Sequence, residues 1–184
     1  MRYSNIALAA AVILAAVPAY ASDPPLYHFG RAPTQAEIDG WNIDVRADGQ
    51  GLPPGRGSVA QGRAIFAQTC AACHGDKGQG GLADRLVGGI GTLTQPKPIH
   101  TVGSYWPYAT TLFDFVRRAM PFNAPESLDA DQVYAVSAYV LSLNGIVPDD
   151  TVLDAKSLPK VVMPNRNGFI RADSKPDVPA IPAH

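Results

Sequence analysis

The chain has only two cysteines and four histidines among its 184 residues, and no run of like charge. Each shortage excludes a class. Two cysteines with histidines scattered at 28, 74, 100 and 184 fall short of the four convergent ligands of structural zinc. A formal net charge of −1, without a basic stripe, excludes a nucleic-acid binder. No acidic face announces a basic partner either, so docking is expected to rest on shape and local apolar contact. No convincing apolar–polar alternation marks a strand, which leaves a mostly α fold. Ser/His/Asp constellations, glycine-rich phosphate loops and paired carboxylates are missing in persuasive context.

Long apolar runs are also scarce. The one at Ile6–Val17 follows Arg2 and ends in Ala19-Tyr20-Ala21, the pattern of a secretory signal cut before Ser22. It is short for a membrane span, so residues 1–21 are expected to direct export, leaving a periplasmic chain with no stable membrane insertion.

What the chain does have is Cys70-Ala71-Ala72-Cys73-His74, the C-x-x-C-H pattern of c-type haem attachment. Residues i and i+3 share a face of a helical turn, so both sulfurs can join the haem vinyls while the next imidazole turns to iron. A thioredoxin-type site would need a βαβ context, which is not visible. The motif occurs once, so one covalent haem c is expected, with His74 as the proximal ligand.

Eleven of the 17 prolines fall in 22–57 and 146–184, flanking a centre with helical periodicity. The expected organisation is signal 1–21, an extended arm 22–57 with a possible short helix, a haem domain 58–145, and a second arm 146–184. In the centre, Ser58 caps a helix to about Thr69, with Gly62 admitting another helix closely. Leu112, Val116 and Ala119 mark a helix over about 110–119, where Asp114 reaches Arg118 and Pro121 ends the run. Asp129 and Gln132 open the last helix, Val133, Val136, Val140 and Leu143 give its stripe, and Asn144-Gly145 stops it. Residues 75–108 read as irregular chain suited to wrapping a flat ring. The arms are too rich in proline to add a core, yet hold Trp41, Leu52, Val161, Val162 and Ile170; they lie along a partner or cover this protein's own surface.

A sixth iron ligand is expected from Met120, which leaves a helix for a loop in Ala119-Met120-Pro121. Met163, His28 and His100 are the alternatives. A thioether ligand suits electron transfer, whereas an open position suits ligand binding. Tyr105 and Trp106 are candidates to cover the ring and hydrogen-bond a propionate. Arg117 and Arg118 either pair with propionates or partner acids, or simply favour a helix C-terminus.

Over 58–145 these features resemble class I cytochromes c: a helix entering Cys70, Cys73 and His74, a Met120-Pro121 loop, and a final helix carrying Tyr139. A narrower resemblance, to cytochrome subunits that accompany periplasmic molybdenum sulfite dehydrogenases, runs through Ile43-Asp44-Val45-Arg46, Gly51-Leu52-Pro53-Pro54-Gly55, Thr101–Asp114 and Leu153–Arg166. It implies haem held by Cys70 and Cys73, axial ligands His74 and Met120, electrons from a molybdenum subunit, and delivery to a downstream cytochrome or oxidase. The chain itself would be the non-catalytic cytochrome subunit. Sulfane-oxidising relatives often carry a second haem domain; the single motif favours the sulfite type or a shortened relative. Other functional readings are a freely diffusing carrier between a respiratory complex and a terminal oxidase, and a haem sensor or enzyme with an exchangeable sixth position.

Overall fold

The computed structural model describes residues 30–170. The signal segment, His28 and residues 171–184 lie outside them. Residues up to Gly40 and residues from Trp41 onward form two units. In the first, Thr34 and Glu37 exchange backbone-to-side-chain hydrogen bonds of 3.3 and 2.8 Å, which opens helix α1 (Gln35–Trp41).

The second unit is mostly helical, as expected. It contains β1 (Arg56–Ser58), α2 (Val59–Thr69), the single turn α3 (Ala71–His74), α4 (Ala109–Ala119), α5 (Ala130–Leu143), β2 (Val152–Asp154) and a 3-10 turn at Leu158–Lys160. Helices α2 and α5 both begin with capping boxes, Ser58 with Gln61 and Asp129 with Gln132. Helix α5 ends in a Schellman motif: Gly145, at φ 66°, bonds back to Ser142 while the Ile146 amide bonds to Leu141.

Helices α2 and α5 cross where Gly62 meets Ala135. A Cβ on Gly62 would stand 1.9 Å from the Ala135 carbonyl and 2.8 Å from the Tyr139 Cβ, so only glycine permits this approach. Beside the crossing Phe66 packs edge-on to Tyr139 at 5.3 Å, and Phe113 of α4 leans on Tyr134 at 4.5 Å. Each such buried ring contributes about 1.5–3 kcal/mol.

Two expectations need correction. Residues Arg56–Ser58 pair antiparallel with Val152–Asp154, so a two-stranded sheet exists among the described residues. Three residues per strand are too few to show alternation. Gly57 lies against α5, where a Cβ would come within 2.2 Å of the Ala135 amide.

Proline-rich chain also does add to the core. Leu153, Leu158 and Met163 are buried, and Val45, Leu52, Ile146 and Val161 pack against the same cluster. Proline stops helices without preventing apolar neighbours from pointing inward. Trp41, Val162 and Ile170 remain exposed.

Arg118 bonds Asp114 at 3.0 Å and also Asp44, while Asp114 accepts from the Val45 amide at 3.0 Å. Arg117 donates to the Ile43 carbonyl at 3.4 Å. Both arginines therefore fasten residues 43–45 to α4.

Tyr134 is fully buried and donates to the Pro53 carbonyl at 2.9 Å. Its pKa is pushed up from 10.0 to about 12 by burial, then by Asp154, with Arg117 opposing. The folded state holds this proton more tightly than the unfolded chain, so the contribution is complete below pH 10.0 and lost as pH rises towards about 12. Denaturant unfolding across that window should show a steeper loss of stability in the wild type than in Tyr134→Phe.

Candidate functional site

Helix α2 runs almost directly into the haem motif. Cys70 closes α2, its amide bonded to the Phe66 carbonyl, and α3 turns once through Cys73 and His74. Neither cysteine is in a disulfide; Cys70 is half-buried and Cys73 exposed. Burial pushes the Cys70 thiol pKa up, the Thr69 hydroxyl 3.3 Å away opposes that, and neighbouring Cys73 adds to it.

The following loop ties itself to α3 through the main chain. Gly75, Gly80 and Ala83 donate their amides to the carbonyls of Ala71, His74 and Cys73 at 2.8, 2.7 and 2.9 Å. These bonds satisfy the orphan acceptors at the end of the turn. They also deliver the next carbonyl, that of Asp84, to within 2.7 Å of His74 Nδ1. A carbonyl can only accept, so Nδ1 carries a proton and donates it, and in the neutral imidazole this leaves the lone pair on Nε2. This is the tautomer and orientation of a ring prepared to ligate metal through Nε2.

The Asp84 residue is exposed, as a solvated acid should be; its main chain does the work. A backbone acceptor leaves no residue-type signature, so no sequence signal marks it.

Cys70, Ala71, Leu86, Trp106 and Met120 are all partly buried against the one core cluster. Met120 follows α4 in extended conformation, as a residue before proline should. Met163 is 1% exposed within that core, and His100 stacks on Tyr105 at 4.5 Å. The Tyr105 carbonyl accepts from Asn165 at 2.7 Å, its ring also meets Phe169, and Trp106 packs edge-on to Phe115 at 5.7 Å. Among the described residues no three His, Cys, Asp or Glu side chains gather as a metal site.

A covalently attached haem fits this donor set. Two cysteine sulfurs at i and i+3, outside any disulfide, are followed by an imidazole whose Nδ1 is already bonded, and the half-buried Met120 and Trp106 pack against the same core cluster as Cys70.

Residues 57–140 match the family model described as cytochrome C oxidase, cbb3-type, subunit III. The chain is similar to the crystal structure of the sulfane dehydrogenase SoxCD from Paracoccus pantotrophus at 47% identity and TM-score 0.76, covering 79% of this chain and 72% of that one. The chain belongs to the cytochrome c family. The cytochrome is also 33% identical over 93 residues to a thiosulfate dehydrogenase of Stutzerimonas stutzeri (strain A1501). That match takes in 49% of the cytochrome and 29% of the relative, so the chain spans under a third of that protein's length. A domain of this family implies haem c and electron transfer, and its relatives include sulfur-oxidation enzymes. Among the described residues no helix is long and apolar enough to cross a membrane.

Gly75 makes the junction between α3 and the loop at φ 80°, ψ 153°, a region essentially reserved for glycine. Gly75→Ala should cost about 1–3 kcal/mol. Guanidinium unfolding and haem per chain, by pyridine haemochrome, should both fall.

Proposed function

We propose that the cytochrome carries single electrons on one haem c, joined to Cys70 and Cys73 and ligated by His74 and Met120. The observation that carries this reading is the 2.7 Å bond from His74 Nδ1 to the Asp84 carbonyl. It fixes the ring and raises its basicity. When bound, haem supplies a one-electron ferric–ferrous couple.

The chain's part is to hold that couple steady. Helix α3 sets the two thiols, the Asp84 carbonyl orients the imidazole, and Met120 offers a soft thioether that favours the reduced state. Trp106 and Tyr105 supply ring cover and donors for propionates. Two ligands fixed in both oxidation states mean little reorganisation on reduction, the property an electron carrier needs. It also separates this reading from a sensor with an exchangeable position.

Electrons are proposed to come from a periplasmic molybdenum subunit that oxidises sulfite, and to pass to a downstream cytochrome or oxidase. The cytochrome is then the non-catalytic partner, reached after export by residues 1–21. The 47% identity to sulfane dehydrogenase SoxCD favours a second reading, in which the donor oxidises sulfane sulfur. In either case the partner, not this chain, selects the substrate.

Met120→Ala should abolish the thioether-to-iron charge-transfer band and let the reduced protein bind carbon monoxide rapidly; a band that survives refutes Met120. Mixed with the purified molybdenum partner, the haem should be reduced when sulfite is added and stay oxidised without the partner. Reduction by a sulfane-sulfur donor but not by sulfite selects the second reading, and reduction by neither supports a freely diffusing carrier.

A further inference from the structure

The His74–Asp84 bond depends on where residues 84–88 are held, and one side chain far along the chain helps to hold them. Asn144 caps α5 and is buried, 8% exposed. Its Oδ1 accepts from the Gly88 amide at 3.1 Å. Its Nδ2 donates to the Leu86 carbonyl at 3.2 Å and to the Val140 carbonyl at 2.9 Å. One acceptor and two donors are thus matched to groups that only an amide satisfies together. The Val140 bond also fills a carbonyl that α5 leaves open at its end.

The packing around Asn144 leaves it little choice of position. A Cβ on Gly103 would lie 2.1 Å from Oδ1, so glycine there makes room for the amide. Thr101 Oγ1 donates to the Gly88 carbonyl at 2.6 Å and accepts from the Ser104 amide at 3.1 Å. The Ser104 hydroxyl bonds the Ile99 carbonyl at 2.6 Å. At the near end, the Leu86 and Val87 amides share the Gly78 carbonyl at 2.8 and 3.1 Å. Asp84 therefore sits on a short span fixed by α3 at one end and by the end of α5 at the other.

We infer that Asn144 is a positioning residue for His74, setting through Leu86 and Gly88 the strength with which Asp84 accepts the ring proton. This rests on the reading of His74 as an iron ligand. A looser span weakens the bond, lowers the basicity of the imidazole and disfavours the ferric state. The midpoint potential then rises while the ligands stay in place.

The test uses the full chain matured with haem, comparing Asn144→Leu with Ser142→Ala. Ser142 is two residues away and bonds Asp149 instead of the loop, so its variant perturbs the same helix end without touching the span. In Asn144→Leu the His74 ring N–H, followed by proton NMR in the reduced state, should exchange about tenfold faster, as expected for loss of about one hydrogen bond's worth of protection. Its midpoint potential should move upward. Ser142→Ala should lower stability and leave both readings at the wild-type value. Asn144→Asp keeps an acceptor for Gly88 and removes both donors; if the leucine variant does not accumulate, its His74 ring N–H should exchange faster in the same direction, and this readout carries the test because the added carboxylate charge by itself lowers the potential. Exchange and potential in the Asn144 variants equal to those of Ser142→Ala overturn the inference while the haem reading stands. A wild-type chain without a haemochrome signal overturns the haem reading itself, and this inference with it.

Discussion

The contact on which the rest of the cytochrome depends is the crossing of α2 and α5 at Gly62 and Ala135. Main chain meets main chain there, with no side chain between them to absorb an error. The crossing fixes where α2 ends, and α2 ends in Cys70. It equally fixes where α5 ends, and α5 ends in Asn144. The candidate site lies between the finish of these two helices, so a small rotation at Gly62 would be felt at both ends of the span that carries Asp84.

The span is held by main-chain hydrogen bonds that it makes locally, back onto α3 and across its own turns. Glycines at 75, 78 and 80 have positive φ and let the chain double back onto α3 within a few residues. Carbonyls of Ala71, Cys73 and His74 receive amides from that return. If His74 ligates iron as proposed, rigid main chain beside it would lower the cost of changing oxidation state, because few dipoles would have to reorient with the charge. The same dipoles tune the ligand continuously, which a charged side chain would do more abruptly.

Helical elements were legible because their signals are local: Ser58 and Asp129 as caps, Gly62 as a close-approach point, Asn144-Gly145 as a stop. The Asp114–Arg118 pair was legible for the same reason, being one turn apart. Long-range facts were not. Leu153, Leu158 and Met163 sit among prolines, and nothing in their spacing shows that β2 pairs with β1 and turns them inward. At the candidate site the cysteines and His74 announce themselves by type and spacing, whereas the carbonyl that orients His74 has no type at all. Asn144 reads as a helix stop, and only the folded chain reveals what its amide touches.

The bond between His74 and a main-chain carbonyl has a consequence for how such a protein changes over time. Any residue at position 84 presents the same carbonyl, so substitutions there leave the ring's partner untouched. Selection can reach it only indirectly, through the glycines that shape the turn and the amide that anchors its far end. On the proposed ligation, a lineage would therefore be able to retune its electron carrier by altering Asn144 or Gly103 while Cys70, Cys73, His74 and Met120 stay constant.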